Sequence, residues 1–440
     1  MTAEIAVMNK HGIALAADSA VTVTSREPFA QGPKIRISAN KIFTLSKYQP
    51  VAVMIYASAE IMGIPWEAVI KTYRRQLGDT HFPTLHGYVE DFLRYLSESR
   101  HFFPVELQAA SVEGYTGQYL QQWIVEPLRE QVQEELDAGN APLDEDRIRT
   151  IFEGVIRHDH QRWSETQPLP SLPAEREDQL RATYSEVFRK VRAALFKKLP
   201  ELSEEAASML EEISVMVYSK IPPGFESGNF VGGTGVVFAG YGTEDVFPSF
   251  SEVIVDEVIG DHLIWWHNRH AAINRGLPAT VCAFAQEDMA QTFMEGVDLR
   301  YQAFVEDSFG DLLRGYTDEI FRALPKNQPS KTARKQIVEA REQMLESYRD
   351  KLRDERHQKF VKTVIDSVQS LPLDDLAEMA ESLVNLTSLK RKVSMDQETV
   401  SGPIDVAVIS GGDGFIWINR KHYFSADRNP QFFANYYRET

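Results

Sequence analysis

Apolar positions along the chain fall into two textures, and their order organises the reading. Short β-rich runs stand near the start: EIAVMN at 4–9 and IALAA at 13–17 flank Lys10-His11-Gly12, while KIFTLS at 41–46 and VAVMIYAS at 51–58 flank Lys47-Tyr48-Gln49-Pro50. Each pair reads as two strands joined by a turn, with Gly12 expected to supply a dihedral that other residues avoid. Pro65 then stands where a first helical turn accepts it, and Trp66, Val69, Ile70, Tyr73 and Leu77 recur at three- and four-residue spacing, the mark of one buried helix face.

From about 79 to 231 the pattern becomes helical with charged faces, as in the stripe Leu180, Tyr184, Val187, Val191 and Leu195. PLPSLP at 168–173 and Pro222-Pro223-Gly224 divide this stretch into helical units. Strand character returns at GVVFAGYG (235–242) and FSEVIVDEVI (250–259). A second helical block over about 330–365 alternates Lys and Arg with Glu and Asp and reads as a solvated surface helix. A helix around Leu376, Met379, Ala380 and Leu383 follows, then DVAVIS (405–410), Gly411-Gly412-Asp413-Gly414 and FIWIN (415–419), a terminal hairpin. Hairpins at both ends with helices between them predict an α+β protein: two antiparallel sheets face to face with helices on their outer faces, an α/β/β/α sandwich enlarged by two helical insertions. The expected divisions are core at 2–78, insertion at 79–231, core at 232–300, insertion at 301–372, and core with a C-terminal tail at 373–440.

Composition narrows the function. The 440 residues include 43% hydrophobic and 25% charged positions, ordinary for a globular protein with a sizeable core. A net charge of −17 repels polyanions and argues against a nucleic-acid partner. The one cysteine, Cys282, can form no intrachain disulfide, and no leader or long apolar span is read, so a cytoplasmic protein without a membrane partner is expected. His158 with His160, and His262, His267 and His270 around Trp265-Trp266, invite a metal, but no carboxylate or cysteine pattern completes a site and none is expected. Gly232-Gly233-Thr234-Gly235 precedes a strand instead of opening a helix, so it reads as a loop and not a phosphate cradle.

The remaining chemistry lies at the start. Thr2 follows the initiator methionine, which methionine aminopeptidase removes when the next residue is small. A mature chain beginning at Thr2 would carry a weak alcohol nucleophile and an amine base, pKa about 8, on one residue. Ala16-Ala17-Asp18-Ser19 closes the second strand, Lys41 opens the third in Asn40-Lys41-Ile42-Phe43, and Ser401-Gly402-Pro403-Ile404-Asp405 leads into the last hairpin. In this order the elements resemble proteasome β-subunits and their bacterial relatives, the threonine proteases of the N-terminal nucleophile (Ntn) hydrolase superfamily. The resemblance covers roughly 2–78, 232–300 and 375–420 and leaves the insertions uncovered.

It implies a four-layer Ntn sandwich and a peptidase acting through an acyl-enzyme on Thr2. Asp18 would keep Lys41 cationic, Lys41 would depress the pKa of the Thr2 amine, and the backbone N–H of Ala57 would hold the oxyanion. Glu398 and Ser401 would support the amine, and Val21, Thr22, Ile55 and Ala59 would line an apolar specificity pocket. No cofactor and no metal is implied; the partners are a peptide or unfolded-protein substrate, a homo-oligomeric ring and an unfolding ATPase. Three residues depart from the family: Ala57 stands for a glycine, Glu398 for an aspartate, and Ala283-Phe284-Ala285-Gln286 lacks the Ser-Gly-Ser turn. A catalytically silent assembly subunit and an amidase of the same superfamily are the alternative readings.

Overall fold

A computed structural model describes residues 3–23, 34–36, 39–139, 143–224, 233–325, 330–393, 402–422, 424–431 and 434. The chain opens with β1 (Glu4–Asn9), β2 (Gly12–Ala17), β3 (Val21–Val23), β4 (Lys34–Arg36), β5 (Ile42–Thr44), β6 (Val51–Tyr56) and the short β7 (Glu60–Ile61) and β8 (Ile64–Pro65). Helices α1 (Trp66–Leu77), α2 (Leu85–Glu98), α3 (Val105–Leu120), α4 (Glu126–Asp137), α5 (Glu145–Ser164), α6 (Arg176–Leu195) and α7 (Glu204–Met216) follow. Then come β9 (Thr234–Gly240), β10 (Ser249–Ile259), β11 (His262–Ala272) and β12 (Ala279–Ala283). The last third holds α8 (Asp288–Glu295), α9 (Leu299–Ala323), α10 (Lys331–Arg356), α11 (Lys362–Val368), α12 (Leu373–Val393), β13 (Asp405–Ser410) and β14 (Gly414–Asn419).

The protein is thus a mixed α+β fold with antiparallel sheets. One five-stranded sheet runs β12-β1-β2-β13-β14, a second β11-β10-β9-β6-β5. Every long strand of the first 60 residues is apolar at successive positions because both of its faces are covered. Along β1 and β2, Ala6, Met8, Ile13 and Leu15 form one cluster with Ala52, Met54, Val237 and Ala239 of the other sheet. The alternate residues Ile5, Val7, Ala14 and Ala16 meet Leu376, Ala380, Leu383 and Val384 of α12. On the second sheet, Val53, Val236, Phe238, Val253 and Val255 turn the other way, onto Trp66, Ile70 and Tyr73 of α1 and Tyr88, Val89 and Phe92 of α2. The stripe expected on α1 is buried in full. Helix α2, within the stretch 79–231, packs on the sheet beside it.

Helices α3 to α7 build a separate cluster around Phe152, Ile156, Trp163, Phe188 and Tyr218. Ile254 and Ile259 of β10 and Ile264 and Trp266 of β11 join that cluster, so the far end of the second sheet faces helices where its near end faces the first sheet. Several local expectations change. Strand β6 ends at Tyr56 and β5 spans Ile42–Thr44, both shorter than the apolar runs. His262, His267 and His270 lie on strand β11, which the sequence pattern did not reveal.

The turn glycine also has a different reason from the one expected. Gly12 is absent from the positive-φ residues; a Cβ there would stand 2.5 Å from the Ile409 carbonyl oxygen and 2.7 Å from a Leu373 methyl. It is glycine because β13 and α12 close over β2. Gly12→Ala is therefore expected to lower stability by about 2–4 kcal/mol, since backbone has to give way. Urea denaturation measures this, and a loss below about 0.5 kcal/mol would contradict the close approach.

Candidate functional site

The sequence-selected residues Asp18 and Lys41 meet at one buried point. Lys41 precedes β5 at the edge of the second sheet, while Asp18 follows β2 in the first. Lys41 Nζ donates to Asp18 Oδ1 at 2.6 Å, with 3% and 1% of the two side chains exposed. The other partners of Asp18 fix it. Oδ1 accepts from the Ala3 N–H at 3.0 Å and Oδ2 from the Ala20 N–H at 3.0 Å, while its own N–H donates to the Ala3 carbonyl at 3.1 Å. Two backbone donors and one ammonium hold this carboxylate in a single orientation.

A third group was not anticipated. Glu4 Oε1 lies 3.0 Å from Lys41 Nζ with its side chain fully buried, so the ammonium sits between two carboxylates. Glu4 opens a strand whose next four residues are apolar, and that acid was the available signal. Ser19 adds a further tie by donating its hydroxyl to the Pro403 carbonyl, which joins the end of β2 to the segment entering β13.

The β6 end carries the second feature. Ala57 has φ +69°, a left-handed conformation that costs a non-glycine residue on the order of 1 kcal/mol, and it is exposed. Alanine at this position thus holds a backbone conformation that glycine would adopt without strain. Beside it, Tyr56 donates to Glu252 Oε1, and Arg269 Nε donates to Glu252 Oε2 at 2.6 Å. Arg269 also pairs with Glu287 at 3.0 Å. Burial first, and the Glu252 charge second, push the Tyr56 phenol far above its ordinary range, so it stays protonated and serves as a donor. Its ring occupies the space that a side chain at Gly235 would fill. Separations of 196 residues between Tyr56 and Glu252 hid this network from sequence reading.

Other expected residues are placed less centrally. Ile55 is buried in the cluster with Trp66 and Val236 beneath α1. Ala59 is half-buried and its carbonyl accepts from Trp66 N–H at 3.0 Å. Val21 and Thr22 lie on β3, paired with Arg36 and Ile35. Thr2, Glu398 and Ser401 lie outside the described residues.

His262 and His267 line a cleft of about 380 Å³ with His86 and Trp265. Among the described residues, no group of three or more His, Cys, Asp or Glu is arranged to hold a metal ion. No helix among them is long and apolar enough to cross a membrane. No protein-family model matches the chain and no curated protein is significantly similar to it.

Two stability outcomes follow from the geometry. Lys41→Met leaves Asp18 and Glu4 as buried carboxylates without their cation and should cost about 3–5 kcal/mol in guanidinium denaturation. Adding Glu4→Gln should recover part of that loss, and a single-variant loss under 1 kcal/mol would show the pair to be solvated. Ala57→Gly, by releasing the left-handed strain, should gain about 0.5–1 kcal/mol.

Proposed function

We propose that the chain is a proteasome-like threonine peptidase of the Ntn hydrolase superfamily, with a four-layer α/β/β/α core and helical insertions. The observation that carries the reading is the Asp18 carboxylate, which accepts from both Lys41 Nζ and the Ala3 peptide nitrogen. Thr2 is bonded to that same nitrogen. Two sheets joined by a buried aspartate–lysine pair at the head of β1, with a left-handed residue closing β6, are what a terminal nucleophile requires: a tuned base and a fixed oxyanion donor.

The chemistry runs as follows. With Met1 removed, the neutral α-amine of Thr2 takes the proton from its own hydroxyl as Oγ attacks the scissile carbonyl carbon. The positive Lys41 disfavours protonation of that amine and stabilises the alkoxide. Negative charge collects on the former carbonyl oxygen and is met by the Ala57 N–H. Collapse breaks the C–N bond, the ammonium returns its proton to the leaving amine, and an ester on Thr2 remains. Water, deprotonated by the same amine, attacks the ester and restores the hydroxyl. Glu398 and Ser401 are assigned to support of the amine.

For substrate class, we assign peptides or unfolded protein with apolar residues before the scissile bond. Val21, Thr22, Ile55 and Ala59, none of them charged, are assigned to the specificity pocket. A cytoplasmic homo-oligomeric ring fed by an unfolding ATPase belongs to the same proposal.

Intact mass and activity test it together. The purified chain is expected to lack Met1, to hydrolyse fluorogenic Leu or Tyr peptides, and to be labelled on Thr2 by an epoxyketone. Thr2→Ala should lose at least about 10³-fold in turnover with an unchanged unfolding transition. Normal turnover in that variant, or a retained Met1 together with measurable hydrolysis, overturns the mechanism.

A further inference from the structure

Helix α9 has two apolar faces, and its partner helix uses only one. The 25 residues of α9 extend about 37 Å, and the inner face packs on α10. Phe309 stacks on Tyr348 with ring centroids 4.2 Å apart, Arg349 pairs with Glu306 at 3.4 Å, and Arg334 lies 5.1 Å over the Phe321 ring. On the opposite side, Tyr301, Phe304, Leu312 and Tyr316 are 61%, 65%, 65% and 66% exposed. At 100° per residue these four fall on one side of the helix, with Ser308 and Gly315 between them. Isolated exposed apolar residues are ordinary on a protein surface; four large ones in a stripe mark a contact.

We infer that this stripe is an antiparallel twofold contact with a second copy of the chain. A twofold contact requires a patch complementary to itself. The stripe has that symmetry about Ser308: Phe304 and Leu312 stand four residues before and after it, Tyr301 and Gly315 seven before and after. Four and seven residues are one and two turns, so the symmetric positions share the face. Two copies crossing at Ser308 oppose Phe304 to Leu312 and the Tyr301 ring to the open space over Gly315, where no atom lies within 4 Å of a Cβ position. The small serine at the centre permits close approach.

At the ends the same register sets Arg300 of one copy opposite the exposed Tyr316 of the other, a cation against an aromatic ring, and the symmetric pair repeats this. Three aromatic rings and a leucine at these exposures cover on the order of 400–500 Å² per copy, so roughly 900 Å² in total, the low end for a specific contact. Like net charges of −17 on the two copies oppose association, so the contact should strengthen as salt screens them. The inference is independent of the peptidase reading.

A cysteine at the centre tests the register directly. In the full chain, Ser308→Cys, an exposed position, should give under mild oxidation a covalent dimer of twice 50.0 kDa on a non-reducing gel. The native Cys282, half-buried with its thiol pushed up to about 12 mainly by burial, is the background control. Adding Leu312→Asp should cut the yield at least about tenfold, and Lys351→Cys on the outer side of α10 should not crosslink. No dimer with Ser308→Cys, equal crosslinking with Lys351→Cys, or a single-chain mass by light scattering at micromolar concentration overturns the twofold. Crosslinking only to a different added helix-bearing protein would assign the face to that class of partner and overturn it equally.

Discussion

One buried ammonium joins the two sheets. Lys41 stands at the edge of the second sheet and reaches Asp18 and Glu4, which belong to the first. Apolar contact between sheets is tolerant of small slides, because dispersion and burial have no direction. A charged hydrogen bond at 2.6 Å has a direction, and breaking it inside the protein leaves an unpaired charge. The ion group therefore sets the register of the two sheets at the end where β1 begins, and the Ala3 nitrogen is fixed in the same step.

The rest of the core follows from covering four apolar faces with two sheets. Helix α12 closes one outer face, and α1 with α2 closes the other. The inner faces meet across β6, β9 and the start of β10 at Phe250, and further along β10 and β11 the helices α3 to α7 take over. The junction of these two regimes is where Tyr56, Glu252 and Arg269 form their network, and Tyr56 touches both inner clusters. Polar groups there are satisfied by one another, which is the condition for keeping them inside a packed interior.

How much of this could be read in advance depended on how local its cause was. The α1 stripe was legible because residues 66–77 decide it by spacing alone. The terminal hairpin was legible for the same reason, through two apolar runs about a glycine-rich turn. Strand β11, HLIWWHNRHAA, was not, because its register shifts around β10 bulges and its polar residues break the alternation. Asp18 and Lys41 stood out through resemblance and order, whereas Glu4, fully buried beside Lys41, was not singled out. Gly12 was rightly singled out for the wrong reason, since its neighbours Ile409 and Leu373 lie nearly the whole chain away.

The pairing of β2 with β13 has a consequence for how the chain is made. Ala17 must wait for Asp405 before its strand is hydrogen-bonded on that side, and Ile5 must wait for Ala283. At about 5–20 residues per second, the first wait lasts on the order of 20–80 s of synthesis. The β2 edge stays open through that interval, and the β1 edge until residue 283 has emerged. The helical stretches between emerge with their contacts mostly local, the kind that form fast. Their cluster needs only β10 and β11 besides themselves, so the nascent chain passes through a state in which its middle helices are packed and its first sheet is still open.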